Sequence, residues 1–578
     1  MKSSDYIVDF LADHGVKHCY GFQGTMIAHL FDSICKSNRM INHVCYNEQG
    51  AAFAAVGEAK ATGKTAFAYS TSGPGAANLI SGIADAYYDS VPVIFITGQL
   101  NTYEYQTVPN IKQHGFQEMD VISIVRPIVK YCEKVEKAED LRRILEQAWY
   151  FANEGRKGPV LIDLPMDMQR QEIEPQKLQG FEIPVEDSNE EKLEEIAQYI
   201  IGAILKAEKP VLLLGNGIDK ENRNNIEELI NKIQIPVITS MLGRDVLPSN
   251  HKLNFGFVGA AYGHRYANLI IHKKADLIVS LGCSVCKRQT GMKTENFARE
   301  ADLIRVDIDK TELVRKVHKN EISFLVDCNK LIEKLVEMLQ DVIKKPEWFE
   351  ICDEIRSQLI SFDASCDERK PNHIVELISK YTESAGAICC DVGQHQIWGA
   401  QSYNVKKNQR ILFSGGHGAM GFALPAAIGA HYGVNQPVVA ICGDGAFQMN
   451  IQELQWVVRE EVPVTIFVMN NTALGLIHQQ QDDIFEGRYY GSVAEGGYST
   501  PDFVKIGNAY GIKSYQVESE DELEKLLAGL DYSRSSLVEV KLDVRSRAYP
   551  KTFFGEEMHN QRPYIPEILL NELLEKGE

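Results

Sequence analysis

The feature that most constrains this chain is a threefold repeated alternation, along 578 residues, between amphipathic helical stretches and short apolar runs that end in glycine-bearing turns. This alternation is typical of parallel sheets that helices cover on both faces. A chain of this length is also too long for one hydrophobic core. We therefore predict an α/β protein with three doubly wound parallel-sheet domains.

The apolar runs and the polar segments between them predict the domain boundaries. The first domain spans 1–168, the second 190–345 and the third 370–548. A polar, proline-containing segment from Gln169 to about Glu191 is interpreted as a linker. A charged segment from Leu331 to Leu359 is predicted to be helical, and the tail, 549–578, is either a lid or a subunit clasp. The predicted strands are Thr65–Ser70, Val91–Thr97, Val160–Asp163, Pro210–Gly217, Ile235–Thr239, Leu277–Gly282, Leu303–Ile308, Ala387–Val392, Val438–Cys442, Val464–Met469 and Leu537–Leu542.

Composition excludes several classes of protein. The formal net charge of -19 argues against a nucleic-acid surface, which would be basic. The N-terminus carries no cationic segment followed by a long apolar run, and no stretch has the roughly 18 apolar residues of a membrane helix. Twelve scattered cysteines are typical of thiols kept reduced in a cytoplasm. Cys283 and Cys286 form one C-x-x-C, but the second ligand pair that zinc would need is missing from the sequence.

The most specific motif is Gly443-Asp444-Gly445, followed after 24 intervening residues by Asn470-Asn471. Each cluster ends an apolar strand, and open α/β sheets bind ligands at the carboxyl ends of their strands. Asp444 and Asn471 carry the hard oxygen ligands that Mg²⁺ combines with phosphate oxygens and water. The glycines let backbone N–H groups approach a diphosphate, and a helix predicted to begin near Asn450 would point its positive end at it. Each cluster alone is an ordinary turn, but the pair indicates a metal–diphosphate site.

A second candidate site lies near the N-terminus. Glu48 stands at the predicted start of a helix of small residues, AAFAAVGEAKATGK. Taken alone it is an ordinary acid at a helix start. With a diphosphate site elsewhere in the chain, its position favours a catalytic carboxyl that exchanges protons with a bound cofactor.

These motifs belong to a wider pattern. The chain resembles the acetolactate (acetohydroxyacid) synthase branch of the thiamine-diphosphate enzymes over nearly its whole length. The matching segments are Tyr20-Gly21-Phe22, Asn47–Ala52, Ser72–Gly75, Phe116–Glu118, Asp163–Pro165, Asp391–Gln396, Gly418–Gly421, Leu424–Gly429 and Gly443–Asn450 with Asn470-Asn471.

The resemblance implies a fold, a reaction and a set of site residues. The three domains would be pyrimidine-binding, central and diphosphate-binding. The reaction would be decarboxylation of a 2-oxo acid such as pyruvate, with transfer of the acyl-anion unit to a second carbonyl. Metal ligands would be Asp444, Asn471 and the carbonyl of Ala473. Cofactor-binding residues would be Glu48, Gly393, Gln394, His395, Gly418, Met420, Gly443, Asp444, Gly445, Ala446, Asn471, Leu474, Gly475 and Leu476. Phe116 and Gln117 would line the substrate approach.

The resemblance also implies an assembly. The family's active sites form between two subunits, so Glu48 would reach the cofactor bound by the partner of a homodimer or homotetramer. The remaining partners would be small molecules, a 2-oxo acid donor and a carbonyl acceptor, in the cytoplasm, with neither a nucleic acid nor a membrane.

Four departures from the family concern the acceptor and a possible flavin. Gln23 replaces a proline, and Thr25 replaces a glycine in the first loop. Gln480 stands where biosynthetic members carry a tryptophan, and His417 replaces an aliphatic residue; a packed loop histidine and a group that shuttles protons are equal alternatives for His417. In the central domain, 282–291 lacks the acidic pair of flavin-binding members but keeps Arg288, Thr290 and Gly291. Gly215, Gly217 and the run Val306–Asp309 suit a dinucleotide, so FAD stays an open alternative.

Three other hypotheses stand beside acetolactate formation. The loop departures are similar to those of carboligases that add a two-carbon unit to a keto sugar in branched-sugar or cell-surface polysaccharide pathways. A simple decarboxylase or oxidase would share the first half-reaction. A catalytically silent subunit is disfavoured by the combination of Glu48 with a complete metal motif.

Overall fold

The computed structural model describes residues 1–104, 111–184 and 190–577. Three six-stranded sheets, each with all neighbouring strands parallel, form three α/β layers along the chain. The three-domain α/β prediction is therefore confirmed.

The first sheet and its helices span the N-terminal part of the chain. Its strands are β1 (His18–Gly21), β2 (Ile41–Val44), β3 (Ala66–Ser70), β4 (Val93–Gln99), β5 (Tyr131–Lys134) and β6 (Val160–Pro165). Its helices are α1 (Ser3–Asp13), α2 (Ala28–Ser37), α3 (Glu48–Thr62), α4 (Pro74–Tyr88), α5 (Val121–Val125), α6 (Leu141–Asn153) and α7 (Met166–Arg170).

The second group forms the central part. Its strands are β7 (Pro210–Leu214), β8 (Ile233–Gln234), β9 (Val237–Thr239), β10 (Asn254–Phe257), β11 (Leu277–Leu281), β12 (Asp302–Asp307), β13 (Glu321–Leu325) and β14 (Ile343–Lys344). Its helices are α8 (Glu190–Lys206), α9 (Arg223–Lys232), α10 (Arg265–Leu269), α11 (Lys287–Thr290), α12 (Lys310–Val314), α13 (Cys328–Met338) and α14 (Pro346–Ala364).

The third group and the tail complete the chain. The strands are β15 (Ala387–Cys390), β16 (Arg410–Phe413), β17 (Val438–Gly443), β18 (Val464–Asn470), β19 (Lys513–Val517), β20 (Ser536–Lys541), β21 (Lys551–Thr552) and β22 (Gln561–Arg562). The helices are α15 (Lys370–Tyr381), α16 (Gln394–Ser402), α17 (Ala423–Val434), α18 (Asp444–Gln448), α19 (Leu454–Arg459), α20 (Gly475–Ile484), α21 (Phe503–Tyr510), α22 (Glu520–Ala528) and α23 (Glu567–Glu575).

Strand order relates the three sheets to one another. The first is ordered β2-β1-β3-β4-β6-β5 and the third β16-β15-β17-β18-β20-β19, so the two have the same topology. The central sheet is ordered β10-β9-β7-β11-β12-β13. When only the six strands of this sheet are counted, this is the 3-2-1-4-5-6 order of dinucleotide-binding folds; β8 and β14 pair separately. In all three, the strand order reverses beside the sheet's first strand, and ligands bind in the crevice at such a point.

The first and third domains meet through a close crossing of α3 and α17. A Cβ on Gly57 would lie 2.2 Å from the carbonyl oxygen of Ala426, and one on Gly429 would lie 1.9 Å from that of Ala54. Only glycine therefore permits this backbone approach at the two positions. The small-residue helix predicted after Glu48 is confirmed, and its alanines and glycines serve the packing of two helices.

Several predicted boundaries were wrong. A helix begins at Asp444 itself, not near Asn450, which lies in the break between α18 and α19. The predicted linker begins too early, because Gln169 is a buried residue of α7 whose side-chain oxygen accepts a hydrogen bond from the Leu30 N–H; residues 185–189 of that linker lie outside the described residues. The segment predicted to be helical from Leu331 to Leu359 contains two helices, α13 and α14, since Pro346 starts a new helix.

The tail docks on the central domain. The Lys274 ammonium donates to the carbonyl oxygens of Leu574 and Lys576 at the end of α23. The buried Gln561 side chain donates to the Gly263 carbonyl at 2.9 Å, and Arg265 donates to the Gln561 carbonyl at 2.7 Å. Within the described ranges, no helix combines the length and apolar character that a membrane span requires.

Candidate active site

The predicted metal residues converge at the carboxyl ends of neighbouring strands. Asp444 follows β17 directly, and Asn471 follows β18, which pairs with β17 in parallel. The Asp444 carboxylate is buried and accepts hydrogen bonds from the Ala473 N–H at 3.3 Å and the Tyr498 hydroxyl at 2.8 Å. Burial raises the pKa of Asp444 to about 6, although these hydrogen bonds favour its charged form.

The two asparagines of the second cluster have different roles. Asn470 points into the fold, where its amide donates to Glu539 at 2.6 Å and its side-chain oxygen accepts from the Thr472 N–H at 2.9 Å. Asn471 faces the other way and donates to the Gln394 side-chain oxygen at 3.1 Å. Asn470 therefore shapes the turn, and Asn471 is available to the site.

Gln394 joins three segments around this site. Its amide nitrogen donates to Gln479 of α20 at 3.2 Å and to the Ser546 carbonyl at 2.8 Å. A Cβ on Gly475 would lie 2.0 Å from the Gln394 side-chain oxygen, so only glycine fits at the start of α20. The predicted residues Gln394, Asn471 and Gly475 thus lie together, and the first two are joined by a hydrogen bond.

His395 is neutral and tied to the strand end beside it. Its ring nitrogen Nε2 accepts a hydrogen bond from the Gly443 N–H at 3.1 Å, and burial lowers its pKa to about 3. Cβ atoms on Gly393 or Gly443 would approach this ring within 2.4 and 2.6 Å. The ring thereby fixes the end of β17 beside the end of β15.

The loop before α17 carries Gly418 and Met420. The Asp391 carboxylate, at the end of β15, accepts from the Gly421 N–H at 2.9 Å and the Ala423 N–H at 2.8 Å. A Cβ placed on Gly445 would lie 2.7 Å from Leu474, 2.9 Å from the Tyr498 oxygen and 3.4 Å from Met420. The predicted cofactor residues Met420, Gly445 and Leu474 therefore surround one point.

Glu48 is the first residue of α3 and is 8% exposed. The preceding Asn47 caps the helix by accepting from the Gln49 N–H at 2.8 Å. Asn78 of α4 donates to one Glu48 carboxylate oxygen at 2.9 Å, and a Cβ on Gly75 would lie 2.9 Å from the other. The carboxyl group is thus held in one orientation by residues of α4.

The other N-terminal site residues lie near the same sheet edge. Gln117 has a left-handed backbone with φ of 64°, and its carbonyl oxygen would lie 3.0 Å from a Cβ on Gly73. Phe116 is 79% exposed. Gln23 and Thr25 are exposed in the loop after β1, where Gly24 packs on Thr71 at the end of β3.

His417 lies on the surface of α4. Its Nε2 is 3.3 Å from the Ser81 hydroxyl, and its ring is parallel to Tyr88 with centroids 6.3 Å apart. Gly418 lines a large cavity that reaches the central domain, whereas His417 is not among the lining residues of that cavity in the described part of the chain. The contacts of His417 within one chain are therefore those of a packed surface histidine.

A cavity of about 1960 Å³ runs from the third domain to the edge of the central sheet. Leu476 and Gln480, one helical turn apart on α20, line one end. The other end reaches Gly217 and Cys283, where β7 and β11 mark the reversal of strand order. Neither Glu48 nor the predicted metal residues Asp444 and Asn471 line this cavity in the described ranges, so it lies beside the predicted metal site.

The side chains predicted to bind a metal offer oxygen atoms, the ligand type that Mg²⁺ takes. The described residues contain no group of three or more His, Cys, Asp or Glu side chains that could hold a metal. The predicted ligands Asp444, the Asn471 side chain and the Ala473 carbonyl would supply one charge and neutral oxygens, and Mg²⁺ takes its remaining ligands from phosphate and water. Because the Gly443 N–H already donates to His395, the N–H groups that follow, at Gly445 and Ala446, are the candidates for contact with a diphosphate.

Sequence reasoning missed three side chains at these sites. Tyr498 and Asn78 contact Asp444 and Glu48 from 54 and 30 residues away along the chain. No local motif marks either position. Asp391 was part of a matching segment, and its place at the end of an apolar run was a signal that could have identified it.

Comparison with known proteins identifies the family of this chain. Three thiamine pyrophosphate enzyme profiles match: the N-terminal TPP binding domain over 1–124, the central domain over 197–335 and the C-terminal TPP binding domain over 391–540. The acetolactate synthase large subunit of Buchnera aphidicola is 33% identical over 577 residues, covering 97% of this chain and 98% of its own. Acetolactate synthase isozyme 3 large subunit of Escherichia coli is 32% identical, covering 96% and 98%, and the chloroplastic acetolactate synthase 1 of Nicotiana tabacum is 34% identical, covering 90% and 79%.

Proposed function

The chain belongs to the acetolactate synthase-like thiamine pyrophosphate enzymes, and we propose that it decarboxylates pyruvate and transfers the two-carbon acyl unit to a second 2-oxo acid. The observation that carries this proposal is the meeting of Asp444, Asn471 and Gln394 at three strand ends of a sheet within the TPP-binding match. The relatives are named acetolactate synthases, so the keto-sugar and oxidase alternatives are not favoured.

In this proposal the third domain holds the diphosphate through a metal. Asp444, Asn471 and the Ala473 carbonyl would bind Mg²⁺, and the backbone N–H groups of Gly445 and Ala446 would face phosphate oxygens. The remaining contacts would come from the predicted cofactor residues Gly393, Gln394, His395, Gly418, Met420, Gly443, Leu474, Gly475 and Leu476. Buried hydrogen bonds fix Gln394 and Asn471 before any ligand arrives, so little reordering accompanies binding.

Glu48 would act as the proton-exchanging group. When bound, thiamine diphosphate supplies a nucleophilic carbon and an electron sink for the carbon–carbon bond that breaks. Glu48 would hold a proton at a carboxylate oxygen that faces the aminopyrimidine, while Asn78 keeps the other oxygen in place. Gln117 and Phe116 would guide the substrate, and Gln480, beside Leu476 in the cavity, would contact the acceptor.

Formation of acetolactate tests the reaction. Pyruvate, Mg²⁺ and thiamine diphosphate should suffice for CO₂ release and acetolactate production by the purified chain. Carbon dioxide release that requires an added keto sugar would contradict the proposal, and so would oxygen consumption with peroxide formation. Glu48→Gln should lower turnover by about 10²- to 10⁴-fold while thiamine diphosphate still binds.

We also propose that the active site needs two chains, Glu48 coming from one and Asp444 from the other, in a homodimer or homotetramer. Glu48→Gln and Asp444→Ala chains would each be inactive alone. Mixed after dissociation and reassociation, they should regain about a quarter of wild-type activity, since half of randomly paired dimers contain one intact site. A mixture that stays inactive, although sequential purification on two different affinity tags shows mixed dimers, would mean that each chain builds its own site.

We also propose that the central domain binds FAD. The central sheet has the dinucleotide strand order, and the cavity reaches its reversal point beside Gly217. A Cβ on Gly215 would lie 2.0 Å from the Gly282 carbonyl oxygen, so this turn is compact. Purified protein should release a yellow flavin on denaturation. A colourless protein that gains no flavin on incubation with FAD would contradict the proposal that the chain binds FAD.

We place the enzyme in the cytoplasm, where its twelve free thiols would stay reduced.

A further inference from the structure

Glu453 is a fully buried residue of the third domain whose carboxylate binds the backbone of the first domain. It lies nine residues after Asp444, in the single helical turn Ile451–Glu453, and is 0% exposed. Its oxygens accept hydrogen bonds from the Tyr46 N–H at 3.1 and 3.2 Å and from the Asn47 N–H at 3.1 Å. These two amides immediately precede Glu48.

The same segment also holds the residue that follows Glu48. The Asn450 side-chain amide donates to the Gln49 side-chain oxygen at 3.1 Å and to the Gly421 carbonyl at 2.9 Å. A Cβ on Gly50 would lie 2.6 Å from the Glu453 carboxylate, so a glycine is required beside this acid. Residues on both sides of Glu48 are thus attached to one turn of the third domain.

A carboxylate at this position is costly to bury, because it loses its hydration. Burial raises the pKa of Glu453 to about 7, although the backbone of Tyr46 and Asn47 favours its charged form. The other ionisable groups that act on it or feel its charge are Arg459 and the buried Cys45 thiol. Two amide donors that converge on one carboxylate fix a backbone more strongly than a neutral acceptor would.

We infer that Glu453 is a positioning residue for Glu48: it fixes the backbone at Tyr46 and Asn47, and thereby the place of the Glu48 carboxyl group. This inference rests on the proposed role of Glu48 as the proton-exchanging group. It also links the segment that carries the proposed metal ligand Asp444 to the start of α3. Because Glu453 acts through the backbone, its loss should change proton exchange and leave cofactor affinity nearly intact.

Glu453→Gln is the main variant, since it keeps the size of the side chain but offers one acceptor oxygen and one amide donor. Glu453→Asp keeps the charge with a shorter reach. Glu461→Gln, an exposed position in the same domain, is the matched control. Three measurements are made: amide hydrogen exchange at Tyr46 and Asn47 in the cofactor-free chain, deuterium exchange at the thiazolium C2 carbon in the holoenzyme, and affinity for thiamine diphosphate.

In Glu453→Gln, the Tyr46 and Asn47 amides should exchange about 10- to 100-fold faster, the range expected when a hydrogen bond to a charged group is lost. Deuterium exchange at C2 and kcat should both fall at least about 10-fold, while the thiamine diphosphate Kd and the KM for pyruvate change less than about 3-fold. Glu453→Asp should lie between Gln and wild type, and Glu461→Gln should match wild type.

Unchanged amide exchange at Tyr46 and Asn47, or unchanged C2 exchange, would overturn the inference. A parallel loss of cofactor affinity would also overturn it, because it would indicate general disruption of the domain. If Glu453→Gln does not fold, Asn450→Ala carries the test, with smaller changes of the same kind expected and wild-type C2 exchange as the contrary result. Should the wild type make no acetolactate, the proposed substrates fail, while the two exchange measurements still decide the role of Glu453.

Discussion

Replacing Lys60 by methionine tests a buried charge cluster of the first domain that also binds the third domain. The Lys60 ammonium, on α3, lies 3.0 Å from an Asp85 oxygen, 2.7 Å from an Asp89 oxygen and 2.7 Å from the Phe413 carbonyl oxygen. The three charged side chains are 8%, 0% and 1% exposed. The two aspartates also bind the loop 414–416, which leads to Gly418.

The cost of the substitution follows from the charges that it leaves behind. Methionine keeps most of the bulk of Lys60, but two buried carboxylates then face each other without a cation. Breaking a buried ion pair in this way costs about 3–5 kcal/mol. Lys60 also lies 4.7 Å from the centre of the Phe422 ring, and loss of that contact adds up to about 2 kcal/mol. We therefore expect Lys60→Met to lower the free energy of unfolding of this junction by at least about 3 kcal/mol.

The loss should depend on pH in a defined direction. Burial raises the pKa of Asp85 above its usual value, and removal of the neighbouring cation can only raise it further. A raised carboxyl pKa destabilises the fold above that folded-state pKa, and the penalty disappears as pH falls toward the unfolded value. The variant should therefore lose more stability at about pH 8 than at about pH 5.

Urea unfolding followed by tryptophan fluorescence measures this difference, with transition midpoints compared because a chain of several domains is not two-state. Lys64→Met, an exposed position two residues after the end of α3, should stay within about 0.5 kcal/mol of wild type. The double variant Lys60→Met/Asp85→Asn should recover more than half of the loss. A Lys60→Met change below about 1 kcal/mol at pH 8, or a loss equal at both pH values, would refute the reasoning.

Three further predictions concern the site and its support. Asp444→Asn should raise the Mg²⁺ concentration for half-maximal activity at least about 100-fold, since loss of a residue that only supports a metal ligand already lowers metal affinity about 10- to 100-fold. A titration of activity with Mg²⁺ checks this, and an unchanged midpoint would contradict the assignment of Asp444 as a ligand. Gly429→Ala should lower unfolding stability by about 1–3 kcal/mol, because its Cβ would meet the Ala54 oxygen, whereas Gly202→Ala in α8 has open space and should be neutral or stabilising. Gln480→Trp should shift the preference between two 2-oxo acid acceptors that differ by one methylene toward the larger acceptor by about 10-fold or more, because an apolar side chain favours the additional methylene. Competition assays with the two acceptors measure this shift.

The parts of the fold that were predicted from sequence are those with continuous apolar runs. Strands β4, β17 and β18 are buried along their whole length, so each is an unbroken hydrophobic segment with a clear end. None of the six edge strands was predicted, and β2, β13 and β19 among them are partly exposed and only four or five residues long. A short half-polar strand does not differ from a loop in composition.

The position of the diphosphate helix shows a second limit. The prediction placed its start near Asn450, where an apolar helical pattern begins, but α18 is only five residues long and precedes it. So short a helix contains too few turns to produce a period. The contacts of Asn47 with Glu453, 406 residues apart, are set by tertiary packing alone and leave no trace in local spacing.

The contrast in burial between two sets of site residues explains how the donor half of the reaction could be predicted while the acceptor stayed open. Asp444, Gln394 and Asn471 are buried and bonded to one another or to neighbouring loops, so a change in any one leaves a buried polar group without a partner, which costs about 1–3 kcal/mol. Gln23 and Gln480 are exposed at loop or cavity surfaces, where a substitution carries no such penalty. Acceptor preference can therefore change within this fold while the buried cofactor site is kept, and motifs identify the cofactor more readily than the product.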